Sequence, residues 1–160
     1  MNRIISLNKA KIISHNLQKS GKTVALTGGC FDILHIGHLS LFQKAKKIAD
    51  TVFVFLESDE KIQHLKGHDK PIHQQPDRAA LLSELRSIDY IIPLPFFETN
   101  DRYDTAVNDI HPNFLVTTKG DTSIIHKKRQ AKAVGAQIVY ASFTPNISTT
   151  KIADILRREL

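Results

Sequence analysis

His35 and His38 stand three residues apart with Gly37 between them, shortly after the glycine pair Gly28-Gly29. Imidazoles are hydrogen-bond donors, and protonation near neutral pH makes them cations. Glycine lets a backbone come close to a ligand. An apolar run, Val24, Ala25 and Leu26, leads into this stretch, and Leu39, Phe42, Ala45 and Ala49 follow it at the spacing of a helix with one buried face. Strand, glycine turn and helix start together make an anion site, because backbone N–H groups and the helix dipole converge there. That points to nucleoside triphosphate chemistry. A metal is the competing reading of the two histidines. It needs a third and usually a fourth ligand, and Asp32 is what lies nearby in sequence.

Other residues invite chemistry less directly. Cys30 lies in the turn, but no base is placed to make it a nucleophile. Asp32 could orient the loop, cap it or help hold a cation. Lys66 precedes Gly67 in a polar segment, where a lone lysine is ordinarily a surface charge. Arg78 sits in a helical stretch. Ser148, Thr149 and Thr150 precede a helix with Ile152, Ile155 and Leu156 inward, so they suit an N-cap or a phosphate. Gly21-Lys22-Thr23 resembles the end of a P-loop, yet residue 16 is Asn and the segment precedes a strand. His64, His68 and His73 could bind metal but lie in a polar loop with no clear second shell.

Gly29-Cys30-Phe31-Asp32 followed by His35-Ile36-Gly37-His38 resembles the signature of the cytidylyltransferase-like nucleotidyltransferases. Lys66-Gly67, Arg78, Ile88-Asp89-Tyr90-Ile91-Ile92 and Ile147-Ser148-Thr149-Thr150-Lys151-Ile152 resemble further family motifs in the family's order, so the likeness runs over roughly residues 22–158. It implies an α/β enzyme that moves a nucleoside monophosphate onto a phosphorylated small molecule and releases pyrophosphate. It also implies catalytic roles for His35, His38 and Lys66. Nucleotide contacts fall to Gly29, Cys30, Phe31, Gly37, Gly120, Asp121, Ser148, Thr149 and Thr150, and acceptor or phosphate contacts to Asp32 and Arg78. Magnesium would arrive with the triphosphate, and no metal ligand set is expected of the protein. Leu65-Lys66-Gly67, Pro71-Ile72 and Arg78 are most similar to bacterial heptose 1-phosphate adenylyltransferases. So is Phe143, where glycerol 3-phosphate cytidylyltransferases carry arginine. ATP is therefore favoured over CTP, with a cytidylyltransferase for an alcohol phosphate as the alternative. A weakly active nucleotide- or RNA-binding relative is the alternative of another class. Thr118-Lys119, before Gly120-Asp121, departs from the family pattern.

The elements that must position these residues alternate. A helix is expected over Asn8–Lys19 with Ile12, Ile13 and Leu17 on one side, as an N-terminal extension of residues 1–20, then a strand over Val24–Thr27 and a helix over His38–Ile48. Thr51–Leu56 is β-branched and aromatic without polar alternation, a buried strand. Residues 58–75 read as a short helix and a loop. Asp77 can cap a helix running to about Ser87, with Leu81, Leu82, Leu85 and Ile88 inward. Tyr90–Leu94, Phe114–Thr117 and Gln137–Tyr140 read as strands. Residues 101–110, Ser123–Val134 and Ser148–Arg158 read as helices. Such alternation predicts an α/β fold, a doubly wound parallel sheet of Rossmann-like type, with ligands at the carboxyl ends of its strands.

Composition sets the outer bounds. The 160 residues fit a single domain, and 41% hydrophobic content can build its core. One cysteine forbids an internal disulfide, no apolar run reaches membrane-spanning length, and no secretory signal is evident, so a cytoplasmic location is expected. The net charge of +6 suits a polyphosphate. The clusters Lys44, Lys46, Lys47 and Lys127, Lys128, Arg129 lack interleaved aromatics and read as solvated helix faces, making a nucleic-acid partner the less favoured one. A homodimer is compatible with such a chain, and a membrane partner is not expected.

Overall fold

Thr51–Leu56 is buried at every position, as its unbroken apolar sequence requires. The computed structural model describes residues 3–142 together with Lys151, Ile152 and Ile155. Its strands are β1 (Val24–Gly29), β2 (Thr51–Leu56), β3 (Tyr90–Pro93), β4 (Phe114–Thr118) and β5 (Gln137–Ala141). All pair in parallel, in the spatial order β3-β2-β1-β4-β5. The helices are α1 (Leu7–Lys19), α2 (Ile36–Ile48), α3 (Asp59–Lys66), α4 (Gln75–Ser83), α5 (Asn100–Ile110) and α6 (Ile124–Val134).

Strand side chains alternate between two cores. Ala25, Val52, Val54 and Leu56 pack with Phe42 and Ala45 of α2 and Leu82 of α4. Val24, Leu26, Phe53 and Phe55 pack with Ala10 of α1, Ala106 and Ile110 of α5 and Ala131 of α6. Helices therefore cover both faces, and the doubly wound expectation holds. Ser6 and Ser58 cap α1 and α3, their hydroxyls accepting the N–H of Lys9 and Lys61.

Several local expectations need correction. Gly28 and Gly29 are the last residues of β1, paired with Phe55 and Leu56, and not a turn. A Cβ on Gly29 would meet the Phe31 ring at 3.0 Å, so the strand ends in glycine to let that ring turn back into the core. Asp77 lies inside the first turn of α4, whose cap is Gln74, and α4 stops at Ser83, short of Ser87. Leu81 and Ile12 are exposed, whereas Leu82, Ile13 and Leu17 face the cores. Residues before and within α1 are built into the fold. Ile91 donates its N–H to the Arg3 carbonyl at 2.8 Å, Ile5 donates to the Ile91 carbonyl at 2.9 Å, and buried Ser14 donates to the Ile110 carbonyl at 2.6 Å. Of the expected last helix, Lys151, Ile152 and Ile155 are helical, and the rest of Ser148–Arg158, with Phe143, lies outside the described residues.

Candidate active site

β1 and β2 stay in register over their whole length, to Gly29↔Leu56. β1 and β4 pair only at Ala25↔Phe114 and Leu26↔Leu115 and then part. The chain reverses its direction of winding between these two strands, the place where open α/β sheets bind ligands. A cleft of about 840 Å³ opens there, floored by the ends of β1 and β4.

The loop after β1 forms one wall. Phe31 adopts a left-handed backbone, φ 47°, which is costly for a bulky residue and is held here by the surrounding core. Its ring is buried against Phe42, with centroids 5.0 Å apart, and meets the His38 ring edge-on at 5.2 Å. His35 is the N-cap of α2, with no side-chain cap bond at that helix start. The imidazoles of His35 and His38 stack at 3.7 Å with 25° between their planes. Gly37 makes this possible, since a Cβ there would strike the His35 ring at 3.0 Å. The glycine of this motif thus clears space for an imidazole.

The stack changes the charge expected of the pair. Burial, then His35 and the Lys66 charge, pull the His38 imidazole down to about 4. Burial lowers His35 as well. Both rings are neutral at pH 7 in the free protein, where the residue types alone suggested cations. Among the described residues, His35 Nδ1, His38 Nδ1, His126 Nδ1 and Thr27 Oγ1 are buried with no hydrogen-bond partner. Thr27, His38 and His126 line the cleft. Orphaned buried polar atoms are costly and rare, and three of these four belong to side chains of the cleft wall.

Lys66 ends α3 and lies exposed on the cleft rim. Cys30 is in the wall, but burial raises its thiol above the ordinary value, so the nucleophilic thiolate is suppressed. Gly120 and Asp121 lie at the β4 end of the cleft. Burial works against the Asp121 charge, yet Lys127, Ser123 and Thr117 hold the carboxyl well below the usual carboxylate range. Lys127 Nζ, Thr117 Oγ1 and the Ser123 N–H and hydroxyl all donate to it.

Asp32 and Arg78 were expected to meet phosphate or acceptor, and the fold uses both internally. Asp32 is 3% exposed, and its carboxylate accepts the N–H of Ile72 at 2.9 Å and of His73 at 2.9 Å. Arg78 is 0% exposed. Its guanidinium donates to the carbonyls of His73, Cys30 and Glu57 and to Asp59 Oδ1 at 2.7 Å. Both help hold the loop after β1, the end of β2 and the start of α3 together, and Asp32 also lines the cleft.

Lys61, Lys127, Glu57, Tyr103 and His126 also line the cleft, and the sequence reading missed them. Lys127 had a usable signal, because it shares a helix face with Ala131 and Val134, both buried. Lys128 and Arg129 are exposed, as a solvated face should be, and Arg129 pairs with Asp104 at 2.6 Å. Glu57 had one too, since it follows β2 directly at the carboxyl edge of the sheet. No three His, Cys, Asp or Glu side chains gather as metal ligands among the described residues, and His64 instead packs on Phe96 at 4.9 Å. No helix among these residues is long and apolar enough to cross a membrane.

Comparison with known proteins agrees with this geometry. Residues 26–155 match the model of the cytidylyltransferase-like family. The bifunctional protein HldE of Nitratiruptor sp. is 36% identical over 154 residues, covering 96% of this chain. That of Campylobacter fetus is 35% identical over 97% of the chain. This chain spans about a third of the length of these curated relatives, 32% and 31%. A lipopolysaccharide core biosynthesis protein from Thermoplasma volcanium superposes with TM-score 0.61 at 26% identity, over 78% of this chain and 99% of its own. A pantoate–β-alanine ligase from Francisella tularensis shares the fold at TM-score 0.64 and 17% identity, over 98% of this chain and 77% of its own. The chain belongs to the cytidylyltransferase-like family.

Proposed function

We propose that this chain transfers an adenylyl group from ATP to a sugar 1-phosphate of the heptose class and releases pyrophosphate. The observation that carries this reading is the stacked His35–His38 pair at the start of α2, with His38 lining the open cleft at the end of β1. A phosphate oxygen of the acceptor attacks the α-phosphorus in line, and the bond from that phosphorus to the α,β-bridging oxygen breaks. Negative charge develops on the equatorial oxygens and on the departing pyrophosphate. His35 and His38 donate hydrogen bonds to those oxygens, and Lys66 neutralises the phosphates. The acceptor is its own nucleophile, so a buried Cys30 thiol has no covalent part to play. Ser148, Thr149 and Thr150 belong to this reading by resemblance, at the β- and γ-phosphates. Magnesium would be held by the triphosphate's own oxygens, because the described residues build no cage for it, and no step is assigned to it.

The nucleotide is ATP on two grounds. Phe143 stands where the glycerol phosphate enzymes that this chain resembles carry arginine, and the order Lys66, Pro71-Ile72, Arg78 follows the adenylyltransferases. The test is pyrophosphate release from ATP or CTP with a panel of heptose 1-phosphate, hexose 1-phosphate and glycerol 3-phosphate. ATP with a sugar 1-phosphate should give the highest kcat/KM, and a tenfold preference for CTP would overturn the choice of nucleotide.

Lys66→Ala should lower kcat/KM on the order of tenfold or more, the scale for losing one charged phosphate contact, with the unfolding transition unchanged because Lys66 is exposed. An unchanged kcat/KM would make Lys66 an ordinary surface lysine.

ATP binding should take up protons. The His38 imidazole is held at about 4 in the free protein, and an adjacent triphosphate raises it by favouring the cation. Affinity therefore rises as pH falls through the value in the complex and levels off near the free value. The change is up to about tenfold per pH unit for each proton taken up. Fold stability runs the other way. His38 titrates below its unfolded value, so its contribution is full above that value and is lost as pH falls toward about 4. Calorimetry of ATP binding in buffers of different ionisation enthalpy measures the uptake. An uptake identical in His38→Ala would show that the nucleotide's own phosphate, and not the histidine, takes the proton.

A further inference from the structure

The cleft proposed for two phosphorylated substrates contains a carboxylate that the chemistry above does not use. Glu57 is mostly buried, and that burial pushes its carboxyl above the usual range. A carboxylate in a polyanion site is unfavourable twice, through its own desolvation and through repulsion of phosphate. The Tyr103 hydroxyl and the Lys61, Lys127 and Arg78 charges offset part of that cost.

The neighbouring carboxylates have theirs within the fold. Asp32 holds the N–H groups of Ile72 and His73, Asp59 holds Arg78 and the Gln75 N–H, and Asp121 holds Lys127 and Ser123. Glu57 differs. Among the described residues its carboxylate has one hydrogen-bond partner, the Tyr103 hydroxyl, which donates to Oε2 at 2.7 Å. An ionised carboxylate has about four acceptor positions, so among the described residues most of this one's capacity is unused at the cleft wall.

Its placement is fixed. The Glu57 N–H donates to the Gly29 carbonyl at 3.1 Å, and its own carbonyl accepts from Arg78 at 2.9 Å. The residue is therefore tied to the end of β1, where the phosphate loop begins. Tyr103 is fixed too, edge-on to Phe97 with centroids 5.0 Å apart and with Lys61 Nζ 5.3 Å above its ring. A rigid acceptor group thus stands at the end of β2, one strand away from the loop after β1.

We propose that Glu57, held by Tyr103, accepts hydrogen bonds from the hydroxyls of the sugar acceptor and selects that acceptor. This rests on the function proposed above. Lysines and histidines read phosphate, and every phosphorylated acceptor carries phosphate. Discrimination among them requires a group that reads hydroxyls, and a carboxylate with open acceptor positions does so. The ribose of the nucleotide offers the same chemistry, and the experiment separates the two.

The test compares wild type, Glu57→Ala, Glu57→Gln and Tyr103→Phe with a heptose 1-phosphate, its monodeoxy analogues, ATP and 2′-deoxy-ATP. Wild-type pyrophosphate release examines the proposed function, and if no sugar phosphate supports it, that reading and this one fall together. With an active wild type, Glu57→Ala should lower kcat/KM for the sugar phosphate by about 10²-fold, mainly through KM, and leave the KM for ATP within about twofold. On the analogue lacking the hydroxyl that Glu57 reads, wild type and variant should fall within about threefold of each other. Glu57→Gln keeps the shape and should show the same pattern at smaller size, which covers a failure of the alanine variant to fold. Tyr103→Phe should raise the acceptor KM about tenfold or less, by loosening the carboxylate. An equal loss on every analogue would reduce Glu57 to a structural residue. Loss of discrimination against 2′-deoxy-ATP, with acceptors unaffected, would assign it to the ribose. Either result overturns the proposal.

Discussion

Replacing His38 by alanine is expected to lower kcat by about 10²-fold or more while the protein stays folded. The ring is stacked at 3.7 Å on His35 and held edge-on by Phe31, so its position is set before any ligand arrives. A donor fixed in advance stabilises charge as it develops, without reorganisation at the moment of reaction. Its Nδ1 is buried and unpartnered, so removing the ring breaks no internal hydrogen bond through that atom. The loss should therefore appear in kcat more than in the KM for ATP, because the interaction strengthens on the way to the transition state. Near-normal turnover by a folded variant would remove His38 from the catalytic assignment.

Replacing Arg78 by methionine is expected to destabilise the fold by about 3–5 kcal/mol, the scale for leaving several buried backbone acceptors without a partner. The side chain is 0% exposed and satisfies three backbone carbonyls and Asp59. Methionine fills much of the volume but leaves those acceptors unpaired. Lysine should not rescue it, because one ammonium cannot reproduce the planar fork that serves four acceptors in different directions. Activity should fall with stability, since the Cys30 carbonyl in the loop after β1 is one of the four. Denaturant unfolding measures the effect, and an unshifted midpoint would show that the network is dispensable.

Local pattern made much of the fold legible. Thr51–Leu56 is so uniformly apolar that only a strand buried on both faces accommodates it, and β2 sits next to the centre of the sheet. Leu39 to Ala49 carries its helix in its spacing. What escaped depends on partners far away in sequence. Nothing near Asp32 tells that its carboxylate will hold the N–H groups of residues 40 and 41 positions later. Nothing near Arg78 tells that Cys30, 48 positions earlier, needs its donor. Isolated polar residues look available for ligands because their internal partners are supplied only by the fold. Gly37 was legible as part of a motif, but its reason is the His35 ring lying over it, a fact of three dimensions. Lys127 was hidden by its neighbours Lys128 and Arg129, which are solvated while it turns inward to Asp121.

The most direct test of nucleotidyl transfer follows the label from ATP carrying radioactive phosphorus at either the α or the γ position, with a sugar 1-phosphate as acceptor. The expected result is α-label on the sugar as a nucleoside diphosphate sugar, γ-label in pyrophosphate, and loss of both in His38→Ala. Gamma-label on the sugar, or no label transferred to any phosphorylated acceptor, would contradict attack at the α-phosphorus.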